Sequence, residues 1–202
     1  TLHTTATTIA ISAANVLIRN IRIATDVDAV VKVFNITAAG VTLDAVDFVE
    51  TASCAALQFV LTTAAADDLR IMNCSWVQSQ TAATATQEWI RLVGTDRFKC
   101  INCYASLKGY ATGNPANGVI VGNTTAANDV EIRNNRFITL NSTGAIAISM
   151  LANTTGMITE NFVASAKTAV AGQIAMANCY GGNNYANNTV NTSGLLDPVV
   201  DS

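Results

Sequence analysis

Residues 130–138 read VEIRNNRFI, and two adjacent asparagines interrupt an otherwise strand-like alternation. Asn is a poor strand former. One interruption would be an ordinary turn, but this one recurs. LIRNIRI (17–23), LRIMNCSW (69–76), FKCINCYA (98–105) and NYANNTV (184–190) each carry an Asn at the same point of a short apolar run.

The apolar residue two before each interruption serves as an anchor. The anchors are Ile18, Leu43, Ile71, Cys100, Ile132, Ile158 and Tyr185, spaced by 25, 28, 29, 32, 26 and 27 residues. Five positions after each anchor comes a second apolar residue: Ile23, Phe48, Trp76, Ala105, Phe137, Val163 and Val190. Two after it the column reads Asn20, Ala45, Asn73, Asn102, Asn134, Glu160 and Asn187, and five of the seven are Asn.

A further alternating run follows in almost every unit, as in VVKVFNI (30–36), ALQFVL (56–61) and EWIRLV (88–93). Turn residues (Gly40, Asp67-Asp68, Asp96, Asn128-Asp129, Gly156, Asn183) precede most units. No window shows the 3.6-residue periodicity of a helix. Short strands repeating every 25–32 residues predict a solenoid, because no single coil can bury its inner face alone. The expected architecture is all-β: about seven coils over residues 1–190, almost no helix, and a tail over 191–202 that caps the stack or contacts another subunit. Stacked coils rise by roughly 4.8 Å, the spacing of paired strands.

This stacking gives the interruption a purpose. Between anchor and the fifth residue the chain must turn a corner with both side chains inside. Asn tolerates the left-handed conformation such a bend needs. In register, its amides can bond along the stack as a ladder. Asn20, Asn73, Asn102, Asn134 and Asn187 are the expected ladder residues, and Phe48 and Trp76, in one inward column, the expected core stack.

The repeat V-x-I-x-N-N-x-F at 130–137 resembles that of the right-handed parallel β-helix family, the architecture of pectate lyases and phage tailspikes, over nearly the whole chain. The resemblance implies a homotrimer packed side by side. It carries no catalytic motif, and this fold hosts many activities.

Composition narrows the function. Only 12% of residues are charged, against about 25% in an average domain, and Ala, Thr, Asn and Gly fill the deficit. A net charge of −3 with 11 scattered Lys and Arg lacks the basic patch that nucleic acids require. No apolar run is long enough to span a membrane. The opening TLHTTATTIAIS has neither an initiator Met nor a basic leader segment, which suggests a fragment or processed product. The five cysteines (54, 74, 100, 103, 179) have no disulfide-scaffold spacing and read as buried small hydrophobes. Cys100 and Cys103 form a lone C-x-x-C, and with His3 the only histidine no metal site is expected. No cofactor motif is present.

The carboxylates have structural explanations. Arg19 precedes Asp44 and Arg22 precedes Asp47 in matching columns, while Arg70, Lys99 and Glu131 follow one another, so cross-strand ion pairs are expected. Asp67, Asp68, Asp96 and Asp129 stand where turns need Asp. No carboxylate pair is left for glycoside hydrolysis. Asn-x-Ser/Thr at Asn141 and Asn153 follows from composition. Tyr104 and Tyr110, flanking the long insertion KGYATGNPANG (108–118), are the candidate glycan contacts.

These readings favour a non-catalytic structural component of a phage particle (spike, fibre or capsid-surface protein), assembled in the host cytoplasm with other virion proteins and contacting host glycans. A carbohydrate-active lyase or hydrolase is the alternative, and a glycan-binding module a third.

Overall fold

The structure, a computed structural model, describes residues 2–3, 8–28, 30–50, 56–78, 87–107, 117–139, 147–165, 173–175, 177–186 and 197–198. Asn187, Tyr110 and Cys54 lie outside them. The described residues form a parallel β-solenoid with no helix.

Each turn of the solenoid contributes one strand to each of three sheets. The first sheet holds the strands before the bend: Leu17–Arg19, Thr42–Asp44, Arg70–Met72, Lys99–Ile101, Val130–Arg133, Thr155–Thr159 and Asn178–Gly182. The second holds those after it: Leu2–His3, Arg22–Thr25, Asp47–Glu50, Ser75–Gln78, Tyr104–Leu107, Arg136–Thr139, Phe162–Ser165 and Tyr185–Ala186. The third closes the turn with Ile9–Ile11, Phe34–Ile36, Gln58–Thr62, Glu88–Leu92, Gly118–Gly122, Ile148–Ser149 and Ile174–Ala175. All these neighbours pair in parallel. Asp197–Pro198 then runs antiparallel to Tyr185–Ala186 at the edge of the second sheet.

Counted from third sheet to second, five turns carry strands of three residues or more throughout. Two further turns have third-sheet strands of only two residues, Ile148–Ser149 and Ile174–Ala175. The expected seven coils thus resolve into five full turns and two reduced ones. The reduced strands come from GAIAISM and GQIAMA, where Ala, a weak strand former, alternates with single apolar residues.

The inward columns match the repeat through the sixth coil. Ile18, Leu43, Ile71, Cys100, Ile132 and Ile158 pair in sequence. So do Ile23, Phe48, Trp76, Ala105, Phe137 and Val163, all fully buried. Phe48 and Trp76 are neighbours in this column, and Phe59 and Trp89 of the third sheet join their rings, with centroids 5.4–6.1 Å apart. Trp89 also reaches Phe137 at 6.4 Å, spanning the space that the small Ala105 leaves between Trp76 and Phe137. Each such ring contributes about 1.5–3 kcal/mol by burial, with up to about 1.5 more per edge-to-face pair.

The last coil departs from the expected columns. Ile158 pairs with Gly181 and Val163 with Ala186, so Gly181, not Tyr185, is the anchor and Ala186 takes the second column; Val190 lies outside the described residues. Asn183 takes the bend, with φ of 52°. The anchor there is a buried glycine, which a rule seeking apolar side chains passes over.

Candidate functional site

The bend after the first sheet carries two polar rows, one outside and one inside. The outer row holds the left-handed residues: Asn20, Ala45, Asn73, Asn102, Asn134, Glu160 and Asn183, with φ from 51° to 58°. Asn134 donates to Asn102 at 2.7 Å, Asn102 to Asn73 at a longer 3.5 Å, and Asn73 to the Asp44 carboxylate at 2.8 Å. These amides are exposed. Where Ala45 and Glu160 take the position, the strained backbone is kept without an amide.

The inner row begins one residue later and was not expected from the sequence. It reads Ile21, Val46, Cys74, Cys103, Asn135, Asn161, Asn184, and the three asparagines are buried. Asn135 donates to the Cys100 carbonyl (2.9 Å) and accepts from the Cys103 N–H (2.8 Å). Asn161 donates to the Ile132 carbonyl (2.9 Å) and accepts from the Asn135 N–H (3.2 Å). Asn184 donates to the Ile158 carbonyl (2.6 Å) and accepts from the Asn161 N–H (3.0 Å). Each amide therefore closes the bend of the coil before it, and the amides also bond one another at 2.9 and 3.0 Å. The signal was present in the opening stretch. Of Asn134 and Asn135, the first turns the chain and the second ties the corner to its neighbour.

The thiols of this row make the same contact more weakly. Cys74 Sγ lies 3.5 Å from the Leu43 carbonyl, and Cys103 Sγ 3.5 Å from that of Ile71. Cys74, Cys100, Cys103 and Cys179 are free thiols. Contact with Cys103, together with burial, pushes the Cys74 thiol far up, burial raises Cys103 well above the ordinary range, and Cys179 is pushed up to about 11. Cys74, Cys103 and Cys179 are thus held as thiols and not primed as thiolate nucleophiles. Among the described residues no group of three or more His, Cys, Asp or Glu side chains could hold a metal ion.

A second bend precedes the first sheet. Asn15, Gly40, Asp68, Arg97 and Asp129 adopt positive φ there. A Cβ on Gly40 would fall 2.3 Å from Asn15 Oδ1. Arg97 grips Asp68 of the preceding coil with two bonds of 2.8 and 2.9 Å, which lowers the Asp68 pKa. Asp67 and Asp96 each accept from the backbone N–H of the corresponding residue in the next coil, Asp96 and Asn128.

Asp44, Asp47, Glu131 and Glu88 are engaged as well. Arg19 pairs with Asp44 (3.2 Å), Arg22 with Asp47 (3.7 Å) and Lys99 with Glu131 (2.6 Å). Ser75 also donates to Asp47. Lys99, then Arg133, hold the Glu131 carboxyl below its ordinary range against partial burial. Glu88 is buried in the third sheet, where it accepts from Gln58 (2.8 Å) and Asn117 (2.7 Å) and pairs with Arg91. Burial raises its pKa despite these partners.

The outer face of the second sheet has a different character. Its first row runs Arg22, Asp47, Ser75, Tyr104, Arg136, Phe162, Tyr185. The second runs Ala24, Val49, Val77, Ser106, Ile138, Ala164. Tyr104, Val77 and Tyr185 are exposed. Arg136 stacks over Phe162, 5.2 Å from its centroid. This face thus sets a row of mixed charged, polar and aromatic side chains beside a mainly apolar one.

No protein-family model matches the chain, and neither the curated proteins nor the solved structures contain a match.

Proposed function

We propose that this chain is a non-catalytic structural rod, a component of a virus particle such as a tail spike, fibre or capsid-surface protein, which works beside copies of itself and other particle proteins. The observation that carries the reading is the pair of hydrogen-bonded rows on the two sides of one bend. Asn73–Asn102–Asn134 outside and Asn135–Asn161–Asn184 inside bond each coil to the next from the third to the seventh. Opening one coil therefore breaks bonds in both its neighbours, which favours cooperative, slow unfolding over local fraying. A component exposed to proteases and the environment benefits from that resistance. The acids that a glycosidase or lyase would employ serve the same stacking: Asp44 and Asp47 are each held by an arginine of the preceding coil and a polar side chain of the following one.

The competing reading is a carbohydrate-active enzyme. Incubating the protein with pectin-like and lipopolysaccharide-like glycans separates the two. We expect no chain cleavage, together with detection of this polypeptide by mass spectrometry in purified particles from its source. Depolymerisation that disappears in Asp44→Asn or Asp47→Asn would replace the structural reading with the enzymatic one.

A further inference from the structure

The outer face of the second sheet pairs Arg22 with Asp47 at one end and stacks Arg136 on Phe162 at the other. Arg136 is exposed and faces Tyr104 and Phe162, not an acid, in the neighbouring strands. Asp47 keeps 47% of its side-chain surface exposed beside Arg22, and a carboxylate has lone pairs for several donors. So one part of the row offers a carboxylate with spare acceptor capacity, and another a cation with no carboxylate partner among the described residues.

We propose that this face docks a second copy of the chain, with the two solenoids antiparallel about a two-fold axis lying along the strands between the Ser75 and Tyr104 rungs. An isologous contact must match the surface to its own rotated image. Rotation about an axis parallel to the strands reverses the coil order and keeps each outward row opposite itself. Because the rungs are evenly spaced, the second rung meets the fifth and the first meets the sixth. Arg136 then faces the partner's Asp47, Phe162 faces the partner's Arg22, and Ile138 faces the partner's Val49. The charge pair, the cation–aromatic pair and the apolar pair form together. The other two-fold, parallel to the solenoid axis, would set Arg136 against Ile138 of its own rung and bury the cation without a counter-charge, a costly arrangement.

The matched part of the face is six rungs long, about 24 Å from first to sixth at the inter-strand spacing, but only one short strand wide. An interface of that size is small, so the dimer is weak and concentration-dependent. It covers Tyr104, so a glycan bound there would compete with it. The dimer is independent of whether the chain belongs to a virus particle, and its failure would leave that reading standing.

Analytical ultracentrifugation of the full chain from about 1 to 100 μM should show a monomer–dimer equilibrium. Arg136→Glu sets like charges against each other and should weaken it at least about tenfold, while Arg97→Gln, on another face, leaves it unchanged. Geometry is tested separately by mixing Val49→Cys and Ile138→Cys chains. The mixture should form a disulfide-linked dimer under mild oxidation, and Ile138→Cys alone should not, because the two copies of that residue lie three rungs apart. A monomer at every concentration, a trimer, or self-cross-linking of Ile138→Cys would each overturn the proposal.

Discussion

The amino-terminal and carboxy-terminal coils solve the same corner with different chemistry. In the first two coils the inner position after the bend is Ile21 or Val46, and the neighbouring interior is filled by Phe34, Phe48, Phe59, Trp76 and Trp89. In the last three it is Asn135, Asn161 or Asn184, each bonded to the backbone of the coil before it. Cys74 and Cys103 stand between, as small apolar residues with one weak donor. Apolar packing tolerates substitution because it is non-directional. A buried amide row does not, because Asn135 and Asn161 each bond to the coils on both sides. Where the core runs short of large side chains, the hydrogen-bonded row takes over the work of holding neighbouring coils together.

The hardest test of this contrast is Asn161→Leu. It removes the donor to Ile132, the acceptor of the Asn135 N–H and both amide–amide bonds. Since each unsatisfied buried group costs about 1–3 kcal/mol, with partial relaxation the loss should be about 3–4 kcal/mol. Denaturant midpoints at constant m-value measure it. A loss below about 1 kcal/mol would mean that the inner row is ornament. The exposed row should respond less. Asn102→Val forces a β-branched residue into a positive-φ position and removes two ladder bonds, for a loss of about 1–3 kcal/mol. Asn102→Gly retains the conformation and should recover most of that loss, so equal midpoints for the two variants would place the cost in the amide bonds alone. At the transition between the two chemistries, Cys103→Val loses only a weak thiol contact and should cost about 1 kcal/mol or less.

The contrast extends to pH. The carboxy-terminal coils bury neutral amides in their inner row, whereas the third sheet buries the titratable Glu88 farther toward the amino terminus. Burial raises the Glu88 pKa in the folded state, so the folded protein binds more protons than the unfolded chain between the two pKa values. Stability should therefore fall as pH rises through that window, and Glu88→Gln should flatten the slope. Glu131, held low by Lys99, acts in the opposite direction: its contribution is present above the unfolded carboxylate pKa and is lost as pH falls through the lower folded value. Urea midpoints from acid to neutral pH in wild type and Glu88→Gln would show this difference, and parallel curves would contradict it. The smallest effect belongs to the amino-terminal surface. Arg22→Ala breaks an exposed ion pair and should change stability by no more than about 1 kcal/mol, less in high salt.

The sequence by itself determined the all-β solenoid, the first six anchors, the position of the bend and the cross-strand ion pairs of Arg19, Arg22 and Lys99. Periodic burial leaves that record because every coil must present the same inward positions to its neighbours. Three things needed the tertiary structure. The repeat column placed Asn134 at the bend of VEIRNNRFI, but only the backbone path shows that Asn135 points inside and ties the corner to its neighbour. In GGNNYANN two asparagine pairs compete, and strand pairing places Asn183 and Asn184 in the rows because Gly181 can stand where an anchor is expected. Glu88 and Asn117 are 29 residues apart and belong to different coils, so only the stacking of the third sheet brings them together. Local alternation records which residues face inward, but hydrogen-bond partners between coils depend on the summed lengths of loops that carry no periodic signal.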